Sequence, residues 1–363
     1  MSSVCTSCST EAMAAWQWFN LHRSNGNEAE IVINIDETPI NLGMQLPQGI
    51  HFPKTKAKHV QREPIARCMT RQESRTTFTW VAMLCNKSWL QPLLPQVLIV
   101  NQHTVARGDM DRLRNNLPSN VHLWREKTAW VTRETFVRVI ALLGEVLRVW
   151  CPDRPAVLLM DTCPVHCVAE VLSASLRNRL RLVFIPAGCT SLLQPLDTHV
   201  LAAVKRAIRK SLVVILLRSP SPGKGKVFEW VLEALVDASK KCLCGRHWGK
   251  AFDGNGFGST TFTVRSGLLQ TLGLESLPAL VEDLPNFGQF QAIFPAGMQM
   301  DFELLLGTLE GALRPSSGVT LETSMLQAAA AGATSSGTGA PPAPLRRRLS
   351  CKTCLGGSGA TTA

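Results

Sequence analysis

Leu158-Leu159-Met160-Asp161-Thr162-Cys163-Pro164-Val165-His166 is the stretch whose reading decides the fold. From Ala156 to Met160 it is a continuous apolar run of strand length, the pattern of a parallel strand covered on both faces. A helix is expected from Val165 to about Asn178, and then a strand from Arg181 to Ile185 that Pro186-Ala187-Gly188 breaks. After Asp197 a long helix sets Val200, Val204, Ala207, Ile208, Leu212 and Ile215 on one face, with Lys205, Arg206, Arg209 and Lys210 on the other.

Upstream, strand-like patterns run over Ile31–Asp36, Thr76–Leu84 and Leu93–Val100. Thr132 is placed to cap a helix over Arg133–Arg148, with Thr135, Phe136, Val139, Ile140, Leu143 and Val146 on its inner side. An antiparallel start that feeds a βαβα half describes an α/β fold, a ribonuclease H-like mixed sheet flanked by helices. Four regions are expected. Residues 1–29 read as a leader or linker remnant, 30–218 as the ribonuclease H-like domain and 219–314 as a helical C-terminal extension. Residues 315–363, rich in Ala, Gly, Ser, Thr and Pro, read as a disordered tail.

The 363 residues carry a formal charge of +11, and 45% of them are apolar. That composition is globular, and its basic excess fits a polyanionic partner whose phosphates release counterions on binding. Apolar runs stay far below the ~20 residues of a membrane-spanning helix. The longest, Leu212 to Leu217, stops at Arg218. Twelve cysteines without a secretory signal point to a reduced compartment rather than a disulfide framework. The pairs Cys5-x-x-Cys8, Cys242-x-Cys244 with His247, and Cys351-x-x-Cys354 each fall short of four zinc ligands, so no zinc site is expected.

Three aspartates stand at element boundaries: Asp36 in Asn34-Ile35-Asp36-Glu37-Thr38, Asp161 at the end of the buried strand, and Asp197 in Thr190-Ser191-Leu192-Leu193-Gln194-Pro195-Leu196-Asp197. Each has an ordinary alternative: an N-cap for Asp197, a strand-to-helix turn for Asp161, a polar strand end for Asp36. Together, with Asp36 within the first strand, Asp161 at the carboxyl end of the buried strand and Asp197 at the start of the basic helix, they suit a hard divalent cation such as Mg²⁺ or Mn²⁺.

These blocks resemble those of the DDE superfamily endonuclease domain of mariner/pogo-type (Tigger/jerky-like) transposases. The likeness runs from about residue 30 to 210 and is carried chiefly by Thr190 to Asp197. It implies that Asp36, Asp161 and Asp197 hold two Mg²⁺ or Mn²⁺ ions for DNA cleavage and joining. DNA is then the partner, a homodimer a candidate assembly, and the nucleus the location, with neither a membrane nor a small-molecule substrate involved. His166 and Thr162 are secondary site residues. Lys205, Arg206, Arg209 and Lys210, with Lys54, Lys56 and Lys58, are candidate phosphate contacts. Arg346-Arg347-Arg348 is a candidate nuclear-import cluster.

Two departures from the family pattern favour a second expectation, a domesticated, non-catalytic DNA-binding or scaffold protein that keeps the fold. Thr162 stands where the family has Asn. About 30 residues precede Asp36, where the family carries helix-turn-helix modules.

Overall fold

The computed structural model describes residues 6–22, 30–41, 77–103, 105–152, 154–218, 224–244, 248–258, 263–275, 294 and 300–310. All lie in one compact unit, Met1–Pro315. The expected disordered tail, the Lys54, Lys56 and Lys58 loop, Cys5, His247 and Arg346–Arg348 lie outside the described residues.

A mixed six-stranded sheet forms the centre, in the order β4-β3-β2-β1-β5-β6. The strands are β1 (Ile31–Asn41), β2 (Thr77–Cys85), β3 (Gln96–Asn101), β4 (Val121–Glu126), β5 (Ala156–Asp161) and β6 (Leu180–Ile185). β1, β2 and β3 pair antiparallel, while β5 and then β6 extend the sheet parallel to β1 on its other side. This is the expected ribonuclease H-like mixed sheet with helices around it. Val157 to Met160 are fully buried, as a strand covered on both faces requires.

β4 and the helix before it, α2 (Arg107–Asn115), are not expected from the sequence. β4 lies at the sheet edge and pairs parallel with β3. Only Leu123 is buried in β4, and only Met110 and Leu113 in α2, so neither element shows the apolar periodicity that marks a core strand or helix.

α3 (Arg133–Trp150) begins as expected, its first turn capped by Thr132, whose hydroxyl accepts the Thr135 N–H at 3.3 Å. Its buried stripe ends on Leu147, with Val146 only half-buried. The helix expected at Val165 starts later, as α4 (Ala169–Arg177). The chain between β5 and α4 winds through turns, with the His166 N–H on the Cys163 carbonyl at 2.8 Å, and this leaves His166 free to fold back on Asp161.

After β6, Gly188 adopts φ +79°, a left-handed conformation suited to glycine in the turn out of the strand. A short helix, α5 (Thr190–Leu193), leads into a wide π-type turn over Leu196–Val200 and then α6 (Leu201–Arg218). Asp197 therefore sits inside a π turn rather than capping the long helix. α7 (Lys224–Ser239) packs on α6, and α8 (Gly249–Gly254), α9 (Ser266–Leu272) and α10 (Phe302–Glu310) complete the described helices. Among the described residues no helix is long and apolar enough to cross a membrane.

Residues 6–22 correct the leader expectation. They form α1 (Thr6–His22), and Trp16, Trp18 and Phe19 are buried in the common core. The Trp18 indole donates to the Leu182 carbonyl at 2.9 Å, covering part of the edge strand β6. The Trp16 indole donates to the Asn255 carbonyl at 2.9 Å, and Phe19 meets Phe257 edge-on at 5.2 Å. The sequence shows only a short helical stretch here, around Ala14 to Leu21; the structure extends it to Thr6–His22 and buries Ala12, Ala15, Trp16, Trp18 and Phe19. Replacing Trp16 by Ala removes a fully buried indole and is expected to destabilise the protein by about 3–5 kcal/mol. Urea unfolding monitored by circular dichroism measures it; an unchanged midpoint would mean that α1 is dispensable to the fold.

Candidate active site at the carboxyl ends of β1 and β5

The pairing of β1 with β5 runs from Ile31–Ala156 to Asn34–Leu159. Just beyond it lie Asp36, still held rigidly by β2 opposite Ala82, and Asp161, the last residue of β5. β6 ends level with Asp161, at Ile185, and the chain returns through α5 to bring in Asp197. Open α/β sheets present their functional groups at this end of the strands.

Asn34, fully buried, ties the three segments together. Its amide donates to the Leu159 carbonyl at 3.1 Å and its oxygen accepts the Leu196 N–H at 2.9 Å. Leu196 opens the π turn, where a backbone N–H has no helical partner of its own. One side chain thus satisfies that donor and fixes the start of the Asp197 turn against β1 and β5.

The three carboxylates lie in one another's field. Burial, then repulsion from Asp197, Glu37 and Asp161, pushes the Asp36 carboxyl well above the usual carboxylate range. The fully buried amide of Gln194 lies beside Asp36 and favours its charge, and among the described residues neither amide atom has another partner. Asp197 is also raised, by burial first; Lys205 opposes that and Asp161 adds to it. Asp161 moves the other way: burial would raise it, but His166 and the Cys163 N–H outweigh burial and hold it low.

His166 explains the asymmetry. It is 1% exposed, with Nδ1 at 2.6 Å from Asp161 Oδ1 and Nε2 at 2.8 Å from Glu37 Oε1. Phe136 of α3 packs against its ring, with centroids 4.3 Å apart. Burial opposes a charge on the imidazole, yet Glu37 and Asp161 overcome it and raise His166 well above its ordinary range. His166, set between two carboxylates, orients Asp161, and because the His166 and Cys163 contacts both fall on Oδ1, Oδ2 is left for another partner.

Glu37 is the residue that sequence reasoning missed. Its neighbour Asp36 drew the notice, and nothing in the spacing linked position 37 to His166 129 residues on. Asn255 is a second omission: its amide donates to the Leu193 carbonyl at 3.0 Å and the Thr198 hydroxyl at 2.8 Å, bracing both sides of Asp197. Thr162 is buried beside Asp161. Of the basic helix face, Arg206, Arg209 and Lys210 are exposed, while Lys205 is half-buried and acts on Asp197.

Hard oxygen donors under mutual repulsion suit a divalent cation, which would relieve the repulsion that raises Asp36. The donor set fits, although Asp36, Asp161 and Asp197 are not drawn within 4.8 Å of one another as a single-ion cluster. A more open arrangement is compatible with two ions sharing the carboxylates.

Residues 77–243 match the family described as DDE superfamily endonuclease. That stretch is similar to the family which the sequence blocks resemble, and it is less than half of the chain. The match takes in Asp161 and Asp197, and Asp36 precedes it. The human Tigger transposable element-derived protein 7 is 34% identical over 94 residues, a stretch covering 23% of this chain and 17% of that protein. Among solved structures, the Mos1 transposase paired-end complex with left transposon end is similar over 65% of this chain and 62% of that one, at 12% identity and TM-score 0.35. The Mos1 mariner paired end complex with Mn gives 66%, 62%, 12% and 0.33 for the same quantities. The strand order identifies the fold independently of these distant likenesses.

Asp36 gives the domain a pH signature. A carboxyl whose folded pKa is raised contributes stability below its unfolded value, and that stability is lost as pH rises through the folded one. In chelator, Asp36→Asn is therefore expected to melt higher than the parent chain at neutral pH, and the two to converge in acid. Thermal unfolding across that range decides it, and equal melting at neutral pH would contradict the repulsion.

Proposed function

We propose that the domain cleaves and joins DNA strands with divalent metal held by Asp36, Asp161 and Asp197. The observation that carries this is the gathering of three carboxylates, two of them raised by burial and like charge, at the carboxyl end of a ribonuclease H-like sheet. Mg²⁺ or Mn²⁺, when bound as a pair, supplies an activated oxygen nucleophile and charge relief at the leaving oxygen.

In this reading the chain's own residues fix positions. Asp36 is aimed by a rigid central strand, Asp161 is oriented by His166 and Glu37, and Asp197 is held by a turn that Asn34 and Asn255 brace. Gln194 favours the charged form of Asp36. Arg206, Arg209 and Lys210 offer an exposed basic face about two and a half to three and a half turns beyond Asp197 for the phosphate backbone. A nuclear location accords with DNA as the partner.

Asp161→Asn and Asp197→Asn are each expected to slow Mg²⁺-dependent nicking of supercoiled duplex on the order of 10²-fold or more, since ligand misplacement alone reaches that scale. Unchanged nicking in either variant would remove these residues from the chemistry.

A second reading is a domesticated DNA-binding or scaffold protein that keeps the fold without catalysis. The contact of His166 with Asp161 favours it, as does Thr162 beside that carboxylate. Calorimetric titration with Mn²⁺ separates the two, because heat of binding lost in Asp36→Asn supports the metal site and its absence in the parent chain supports the scaffold. DNA binding is common to both readings. Neutralising Arg206, Arg209 and Lys210 together is expected to reduce the slope of log K against log salt by about 0.9 for each phosphate that these side chains no longer neutralise. A slope that did not change would place the DNA elsewhere.

A further inference from the structure

Away from the three aspartates, Cys8, Glu11 and Cys189 stand together. Among the described residues this is the single group of three His, Cys or carboxylate side chains whose ligand atoms all lie within 4.8 Å of one another. Cys8 and Glu11 share a face of α1 at a spacing of three, and Cys189 is the residue that precedes α5. Both cysteines are free thiols, Cys189 fully buried and Cys8 partly so.

We propose that Cys8, Glu11 and Cys189 form a binding site for a thiophilic divalent cation, zinc foremost, that pins α1 to the turn carrying the third aspartate. The spacing suits the ion. Cys189 Sγ lies 3.7 Å from Glu11 Oε2. Tetrahedral zinc, with Zn–S about 2.3 Å and Zn–O about 2.0 Å, sets such a pair about 3.5 Å apart, so only a small adjustment is needed. Water is a source of the fourth ligand.

The carboxylate distinguishes this site from a disulfide in waiting. Burial raises the Cys189 thiol, and Cys8 and Glu11 raise it further, which holds back the thiolate that oxidation requires. A divalent cation reverses that balance by favouring both thiolates and the carboxylate at once. The sequence alone does not show the site because Cys189 is 181 residues from Cys8 and belongs to none of the paired cysteine motifs.

The consequence is mechanical. Cys189 opens α5, and four residues after α5 comes Asp197. A bound cation would fasten this segment to α1, whose Trp16 already reaches Asn255 and through it Thr198. The site does not depend on the domain being catalytic.

The test uses the full chain, reduced and stripped of metal, titrated with Co²⁺ and then Zn²⁺. The expected result is a sulfur-to-cobalt charge-transfer band with tetrahedral d–d bands, bleached by Zn²⁺. The Cys8→Ser/Cys189→Ser double variant should bind one equivalent fewer than the parent chain, while Cys351→Ser/Cys354→Ser should keep that equivalent. Glu11→Gln, which conserves size on a partly exposed side chain, should weaken it roughly tenfold or more without altering the near-ultraviolet circular dichroism. Equal stoichiometry in the parent and double variant would overturn the proposal. So would a Cys8–Cys189 disulfide in the chain purified without reductant, together with no cobalt band after reduction.

Discussion

Asn34 is the contact on which the geometry of the domain turns. The amide lies where β1 and β5 stop pairing, and it reaches one segment from each of the three carboxylate-bearing regions: its own strand, the Leu159 carbonyl of β5 and the Leu196 N–H of the turn before Asp197. A buried amide can make these bonds only if all three backbones arrive in register. Hydrophobic burial holds the sheet together, but it is not directional, and a sheet packed by apolar contact alone leaves the relative placement of three loops open. The polar contact removes that freedom. An apolar residue at position 34 would leave a buried N–H and a buried carbonyl to find other partners.

The same region shows how like charges are kept close. Asp36 carries the load of the repulsion, while Asp161 escapes it because His166 stands between it and Glu37. Asp161 is therefore compensated from within the protein by His166 and Asp197 partly by Lys205, while among the described residues Asp36 has no charge of opposite sign acting on it. That division separates orientation, supplied by His166, from the demand for positive charge, greatest at Asp36. Phe136 against the His166 ring keeps water from the imidazolium and ties α3 to the site.

Much of the sheet was legible in the sequence because its signal is periodic and local. β5 announces itself by an unbroken apolar run, α3 by its Thr132 cap and inner stripe, and β1 and β2 by alternating β-branched residues. β4 and α2 were hidden for the opposite reason, since an edge strand with one buried residue has almost no pattern to read. The three aspartates were legible through the motifs around them. Glu37, Asn34, Gln194 and Asn255 were not, because their roles arise from contacts between distant segments, such as Glu37 with His166 and Asn255 with Leu193.

α1 shows why such long-range wiring matters to the site. Its Trp16 indole holds the Asn255 backbone, the Asn255 amide holds Leu193 and Thr198, and Asp197 lies between those two. Gly256, at φ +85°, lies so close to Trp16 that a Cβ there would stand 2.3 Å from the indole nitrogen. A side chain at 256 would therefore strain the backbone and displace the indole together. The third aspartate is thus placed by residues near the start of the chain and near residue 255, both outside the family-matched span of 77–243. Its position depends on tertiary contacts that a segment limited to that span would not contain, whereas Asp36 and Asp161 are aimed chiefly by the strands that carry them.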